Sequence, residues 1–279
     1  VPPEEAHRFG ILKADRRGRV EIFQEKPAEP LSNQANLGIY VFKRSVLEER
    51  LNADAENPNS SHDFGKDILP RMVEECDCYT YEFHRYWRDV GTLQSYWEAN
   101  MECLTPRLGL DLREWGVHTN WHEIPLEYQM PCHVYGEGQI VNSIVGKGSS
   151  IRGSVVNSVL FRGVEVGPGA EVHDSIIMDG AKIGAGAKVR HLIADKHAEI
   201  GPNSVIGDGN GDSPANKETP DYLYSGLTLM GMYTRMPENY NVGRNVLIYP
   251  DLSPEDFPAD RLDHGETVRC AKSALKNRQ

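Results

Sequence analysis

The sequence lacks any run approaching the ~18 consecutive apolar residues that a membrane-spanning helix needs, and its start lacks the basic-then-apolar pattern of a secretory leader. A cytoplasmic protein with no membrane partner is the expectation. Positive charge is in deficit, with 30 Lys and Arg against 41 Asp and Glu and a formal net charge of −11. So acidic a chain repels nucleic-acid backbones and anionic lipid surfaces, while leaving room for a local cationic pocket that takes one small phosphate. Cysteine is scarce, and Cys76, Cys78, Cys103, Cys132 and Cys270 are odd in number and scattered. Only Cys76 and Cys78 lie close together, without the second ligand pair of a zinc site, so free thiols in a reducing compartment are expected. An initiator Met is missing too: the chain starts Val1-Pro2-Pro3 and reads as the interior of a longer gene product.

What is present suffices for packed cores: 39% of the 279 residues are apolar and 8% aromatic, enough to exclude a disordered chain. The first 104 residues mix strand and helix signals. Residues 9–23 read as a hairpin around a polar, Gly-containing turn, and Leu37 to Phe42 as a buried strand followed by a helix from Ser45 to Leu51. Asp63 to Val73 reads as a helix, Cys78 to Phe83 as a strand, and Thr92 to Leu104 as a helix with apolar periodicity. The alternation predicts an α/β layer over 1–104, with a Trp/His-rich connector over 105–131.

From residue 132 the texture changes and a repeat emerges. Val145-Gly-Lys-Gly-Ser-Ser-Ile151 recurs from Val166, Ile183, Ile200 and Val242 in the pattern aliphatic, Gly, any, Gly or Asn, small, any, aliphatic. Aliphatics six apart fit the inside of a triangular prism, and Gly or Asn supplies the tight backbone of each corner. Stacked rungs then bury a continuous apolar column. Residues 132–279 are therefore expected to form a left-handed parallel β-helix of hexapeptide repeats, with a C-terminal tail.

Chemistry concentrates in three segments. Glu25-Lys26-Pro27 ends a strand, where Pro27 biases Lys26 toward an extended backbone and makes it a point charge for a phosphate. Ser60-Ser61-His62-Asp63-Phe64-Gly65-Lys66-Asp67 and Tyr86-Trp87-Arg88-Asp89-Val90-Gly91-Thr92 follow. Asp89, just before a helix, either ligates a divalent cation or serves as a helix-start carboxylate. Asp63-Phe64-Gly65 has the letters of a kinase motif, but neither the Gly-rich phosphate loop nor the catalytic loop accompanies it.

With Phe9-Gly10, Gly38-Ile39-Tyr40-Val41-Phe42, Tyr96-Trp97-Glu98-Ala99-Asn100-Met101, Gly243-Arg244-Asn245 and Pro250-Asp251, these blocks resemble the glucose-1-phosphate adenylyltransferase family over nearly the whole chain. The resemblance implies a partial Rossmann-like nucleotidyltransferase domain ahead of the β-helix. The reaction it implies joins ATP and glucose 1-phosphate into ADP-glucose and diphosphate with Mg²⁺, in glycogen or starch synthesis. Lys26 would grip the sugar's phosphate, Glu25 would accept hydrogen bonds from its hydroxyls, and Gly10 would allow close backbone approach. Tyr40, Asp63, Phe64 and Trp87 would line the pocket, and Asp89 would ligate the metal. Asn36 stands where the family usually has Ser, and its amide still offers donor and acceptor.

The family's Gly-rich nucleotide loop, catalytic Arg and Lys and first metal-binding Asp would lie upstream of Val1. No catalytic residue is therefore assigned here, and the chain alone is not expected to turn over. The β-helix would serve a homo-oligomer, a tetramer in the family, and would meet a small anionic allosteric effector, for which Lys272 and Lys276 are candidates. Three alternatives stand beside this reading: a uridylyl or guanylyl donor, a non-catalytic regulatory subunit, and an acyltransferase using His173, His191 or His197 as base.

Overall fold

The computed structural model describes residues 1–105, 110–117, 130–209 and 213–270. Lys272, Lys276 and the larger part of the expected connector lie outside the described residues. The chain divides into two compact units, Val1–His84 and Arg85–Gln279.

In the first unit, β1 (Gly10–Ala14) and β2 (Val20–Glu25) form the expected antiparallel hairpin, with Gly10 opposite Glu25. Asp15 closes its turn by accepting hydrogen bonds from the Arg17 and Arg19 amides at 2.7 and 3.0 Å, an arrangement typical of Asp in turns. Helices α1 (Arg44–Ala55) and α2 (Leu69–Glu75) follow, and one π-helical turn, Phe64–Ile68, runs into α2. Ala6, Phe9, Ile11, Ile68, Leu69 and Met72 are buried and make a small core.

Two expected strands are corrected. Residues 37–42 form no strand, and Ile39 and Val41 are 77% and 99% exposed. Residues 78–83 make only a single bridge, Tyr79 to Arg19, and Tyr81 is 90% exposed. An apolar run becomes a buried strand only when neighbouring strands take up its backbone groups. Among the described residues the nearest pairing to 37–42 is the isolated bridge of Ala35 to Ile11.

Among the described residues the second unit is a parallel β-solenoid of three sheets with seven, seven and five strands. Val166, Ile183 and Ile200 stack on one sheet, while Val172, Val189 and Ile206 stack on the next, all buried. The repeat template thus marks inward positions on two successive faces. The copies starting at Val145 and Val242 sit one face out of phase, each in a sheet different from that of Val166, which explains the irregular spacing of the first copy. Corners take left-handed backbone: Asn142, Asn157, Asp174 and His191 occupy one corner with φ from 43° to 49°. At Gly201 a Cβ would stand 2.2 Å from the carbonyl oxygen of Pro237 in the next coil, so close stacking requires glycine there.

Helix α3 (Leu93–Glu102) packs on the solenoid within this unit. Its Leu93, Tyr96, Trp97 and Met101 lie against Ile176, Ile193, Leu223 and Leu227, and Trp97 Nε1 donates to the Asp174 carbonyl at 2.8 Å. No helix among the described residues is long and apolar enough to cross a membrane. Buried Asn216 and Asn245 tie down the insertion before the strand Thr228–Met230. Asn216 donates to the carbonyls of Asn245 and Glu266 at 3.0 and 3.1 Å and accepts from the amides of Glu218 and Thr219. Asn216→Ala should cost the solenoid about 2–3 kcal/mol, because several buried polar groups lose their partner together. Thermal denaturation checks this, and an unchanged midpoint would contradict it.

Candidate functional site

Most of the sequence-derived site residues gather at the open end of the hairpin. Glu25 ends β2 opposite Gly10, and its side chain is 22% exposed. A Cβ on Gly10 would stand 2.9 Å from Glu25 Oε2, and a Cβ on Gly65 only 2.5 Å from the same atom. The carboxylate is seated between two glycines, and either one with a side chain would displace it. Among the described residues it accepts no hydrogen bond; its charged neighbour is Lys26 Nζ, 4.0 Å from Oε1.

Lys26 corrects an expectation. Instead of an extended backbone it has φ +44°. The hairpin's register decides this, since the Lys26 amide donates to the Phe9 carbonyl at 3.1 Å and the chain must then turn away into Pro27. Proline disfavours the right-handed helical region for its predecessor, and here the left-handed one is used. The Lys26 side chain is 66% exposed.

The wall beside Glu25 is aromatic. Tyr40 stacks on Phe64 with centroids 6.0 Å apart, and Phe42 contacts both rings. Asn36 holds this wall to the hairpin. Its amide N–H donates to the Gly10 carbonyl at 2.8 Å, its Nδ2 donates to the Tyr40 hydroxyl at 2.6 Å, and its Oδ1 accepts from the Gly38 amide at 3.0 Å.

The Ser60–Asp67 block works largely as a scaffold. Asp63 caps the π-turn, its Oδ1 accepting from the amides of Gly65 and Lys66 at 2.8 and 2.9 Å, as an N-capping carboxylate does. Asp67 takes the Ser61 hydroxyl at 2.5 Å and the amides of Ser61 and Asp63. Buried Asp54, at the end of α1, takes the Ser60 hydroxyl at 2.7 Å and faces His62 Nδ1 at 2.9 Å. The Ser60 hydroxyl first, and then His62, hold the Asp54 carboxyl below the usual carboxylate range. The Ser61 hydroxyl, followed by the Asp63 amide, does the same for Asp67.

Trp87 and Asp89, both half-buried, belong to the second unit. The Asp89 carboxylate lies against Gly91, where a Cβ would stand 3.0 Å from Oδ2. The N-cap of α3 is Thr92, whose Oγ1 accepts from the Ser95 amide at 3.0 Å. Arg88 pairs with Glu98 and Glu102 on that helix, and the Tyr86 hydroxyl donates to Glu102 at 2.6 Å. The segment carrying Asp89 is thereby fastened on both sides. Of the histidines weighed as bases, His191 and His197 are solenoid corners with positive φ, packed on Trp97 and Tyr233 respectively, while His173 ends a strand.

Comparison with known proteins finds similarity over both parts of the chain. The nucleotidyl transferase family model matches residues 1–105, and the GlmU-like C-terminal hexapeptide model matches 132–221. A glucose-1-phosphate adenylyltransferase of Thermotoga sp. (strain RQ2) is 48% identical over 273 residues, covering 96% of this chain and 63% of the relative. Those of Pseudothermotoga lettingae and Acetivibrio thermocellus are 44% and 39% identical over 271 residues, with 96% of this chain covered and 63% and 62% of theirs. The chain is thus similar to glucose-1-phosphate adenylyltransferases along nearly all of its own length. It spans about 63% of the length of these relatives. The nucleotidyl transferase model runs through α3, although that helix packs with the solenoid.

Sequence reasoning missed Gly65, Phe42 and Asp54. Gly65 stood in plain sight within Asp63-Phe64-Gly65, but only coordinates show which carboxylate it admits. Asp54 carries no local sign, since its partners lie six and eight residues downstream.

The depressed carboxyls set a pH dependence. A folded-state pKa below the unfolded one stabilises above the ordinary carboxylate value, and that contribution is lost as pH falls through the folded pKa. The first unit should therefore weaken progressively as pH drops below about 4. Asp54→Asn should flatten part of that acid limb. Urea denaturation followed through the NMR signals of residues 61–68 measures it; an acid limb identical in the variant would exclude Asp54.

Proposed function

We propose that this chain supplies the sugar-phosphate side of a glucose-1-phosphate adenylyltransferase, an enzyme of glycogen or starch synthesis. In that reaction a phosphate oxygen of glucose 1-phosphate attacks the α-phosphorus of ATP and diphosphate leaves, giving ADP-glucose. Positioning and charge neutralisation are what such a transfer asks of a protein. The observation that carries the reading is the Glu25 carboxylate, seated between Gly10 and Gly65 with its acceptor capacity unspent and the Lys26 ammonium beside it.

An ionised carboxylate accepts hydrogen bonds only, which suits sugar hydroxyls, and an exposed ammonium suits a phosphate dianion. Gly10 leaves the hairpin backbone open to close approach. Tyr40 and Phe64 offer an aromatic wall for the apolar face of a hexose, and Asn36 orients the Tyr40 hydroxyl. Asp63 keeps one carboxylate oxygen for a ligand, because Oδ1 is committed to the π-turn. Trp87 is a pocket-lining candidate by resemblance to the family.

Mg²⁺ fits Asp89 as a single carboxylate ligand, since this ion binds through one or two carboxylates, phosphate oxygens and retained waters. Among the described residues no group of three or more His, Cys, Asp or Glu forms a metal cluster. When bound, Mg²⁺ would neutralise charge on the phosphates. A homo-oligomer, tetrameric as in the family, and a small anionic effector complete the reading, with the cytoplasm as its setting.

With a nucleotide-binding half supplied in cis or in trans, Lys26→Ala should weaken glucose 1-phosphate about 10- to 100-fold, the worth of one charge-assisted phosphate contact. ATP affinity should change by less than about threefold. Steady-state kinetics with both substrates varied reads the two effects apart, and equal losses would remove Lys26 from this role.

A further inference from the structure

We propose that His62 is a positioning residue for sugar selectivity: tied to buried Asp54, it holds the Glu25 seat rigid enough to separate glucose 1-phosphate from its hydroxyl epimers. The proposal rests on the assignment of Glu25 to the sugar hydroxyls.

His62 has a backbone that does not suit its residue type. Its φ is +58°, in the left-handed region that Gly enters freely and other residues seldom do. Such a conformation persists where the surroundings over-determine it, and here three contacts do so. The His62 amide donates to Ser60 Oγ at 3.0 Å, the Ser60 hydroxyl donates to Asp54 Oδ1 at 2.7 Å, and His62 Nδ1 lies 2.9 Å from Asp54 Oδ2. An ionised carboxylate only accepts, so Nδ1 carries the proton and donates. The three residues close a ring on a carboxylate that is 5% exposed, and the ring fixes backbone and imidazole together.

A second carboxylate anchors the chain on either side of His62. Asp67 Oδ2 accepts from the amides of Ser61 and Asp63 at 3.2 and 3.1 Å. His62 is therefore the reversal between the loop leaving α1 and the π-helical turn that presents Gly65. A Cβ on Gly65 would stand 2.5 Å from Glu25 Oε2, so the placing of this turn sets the space in which the carboxylate sits. Glycine at position 62 would adopt the same backbone without strain but would leave Asp54 without one of its donors. Asparagine would supply both needs, since it tolerates the left-handed region and its Nδ2 stands as far from the backbone as His Nδ1.

Rigidity matters because an acceptor fixed in place pairs with a hydroxyl in one orientation only. The epimer leaves that acceptor unpaired, which is how a polar site rejects a close analogue. An acceptor free to shift follows either epimer.

Calorimetric titration of glucose, galactose and mannose 1-phosphates into the chain tests this, with the NMR signals of residues 61–68 confirming a folded loop. The wild-type chain should bind glucose 1-phosphate at least ~10-fold more tightly than one of the two epimers. His62→Gly should narrow that ratio to below about threefold, and His62→Asn should restore it to within about twofold of wild type. A role confined to stability would weaken all three sugars alike and leave the ratio unmoved. The proposal is overturned by an unchanged ratio in His62→Gly, by His62→Asn no better than His62→Gly, or by a wild-type chain that binds all three alike. A wild-type chain that binds none of the three removes the sugar-site assignment itself, and the proposal with it.

Discussion

One carboxylate and two missing side chains govern the candidate site. Glu25 ends a strand whose register sets it opposite Gly10, and its oxygen occupies space that a Cβ on Gly65 would enter at 2.5 Å. Everything around it serves that seat. Asn36 ties the aromatic wall to the Gly10 carbonyl, Asp63 caps the turn that presents Gly65, and Asp54 and Asp67 anchor the loop leading into it. The Glu25 side chain is 22% exposed, and an ionised carboxylate can only accept hydrogen bonds.

The solenoid follows a different logic. Its stability is cumulative, each coil burying its aliphatics against the next, and its corners impose left-handed backbone at regular intervals. That is why Asn, Asp, His and Gly recur at positions that look unrelated in a linear reading, such as Asn157, Asp174 and His191. The histidines that invited an acyltransferase reading are held by this geometry: His191 turns a corner and packs on Trp97.

How far the residues alone could be read depended on whether their partners were local. The hairpin, α1, α3 and the hexapeptide columns rest on short-range patterns and stand where the periodicity set them. The run 37–42 reads as a buried strand because its composition is that of one, yet burial requires neighbouring strands that its own residues do not provide. Lys26 shows the same limit at the scale of one residue. Pro27 restricts it, but the hydrogen bond to Phe9 decides which of the remaining conformations it takes. In the site, the residue types and their order were legible through the family blocks. The clamping of Glu25 by Gly65 was not, since it joins segments forty residues apart in sequence.

The most direct measurement is calorimetric titration of glucose 1-phosphate into the protein and its Gly65→Ala variant, with solenoid NMR signals confirming an intact fold. A methyl group at position 65 must push the Glu25 carboxylate from its seat, so the sugar phosphate should bind the variant at least ~10-fold more weakly. Equal affinity in the two proteins would contradict the account, as would a variant crystal structure with the Glu25 carboxylate unmoved.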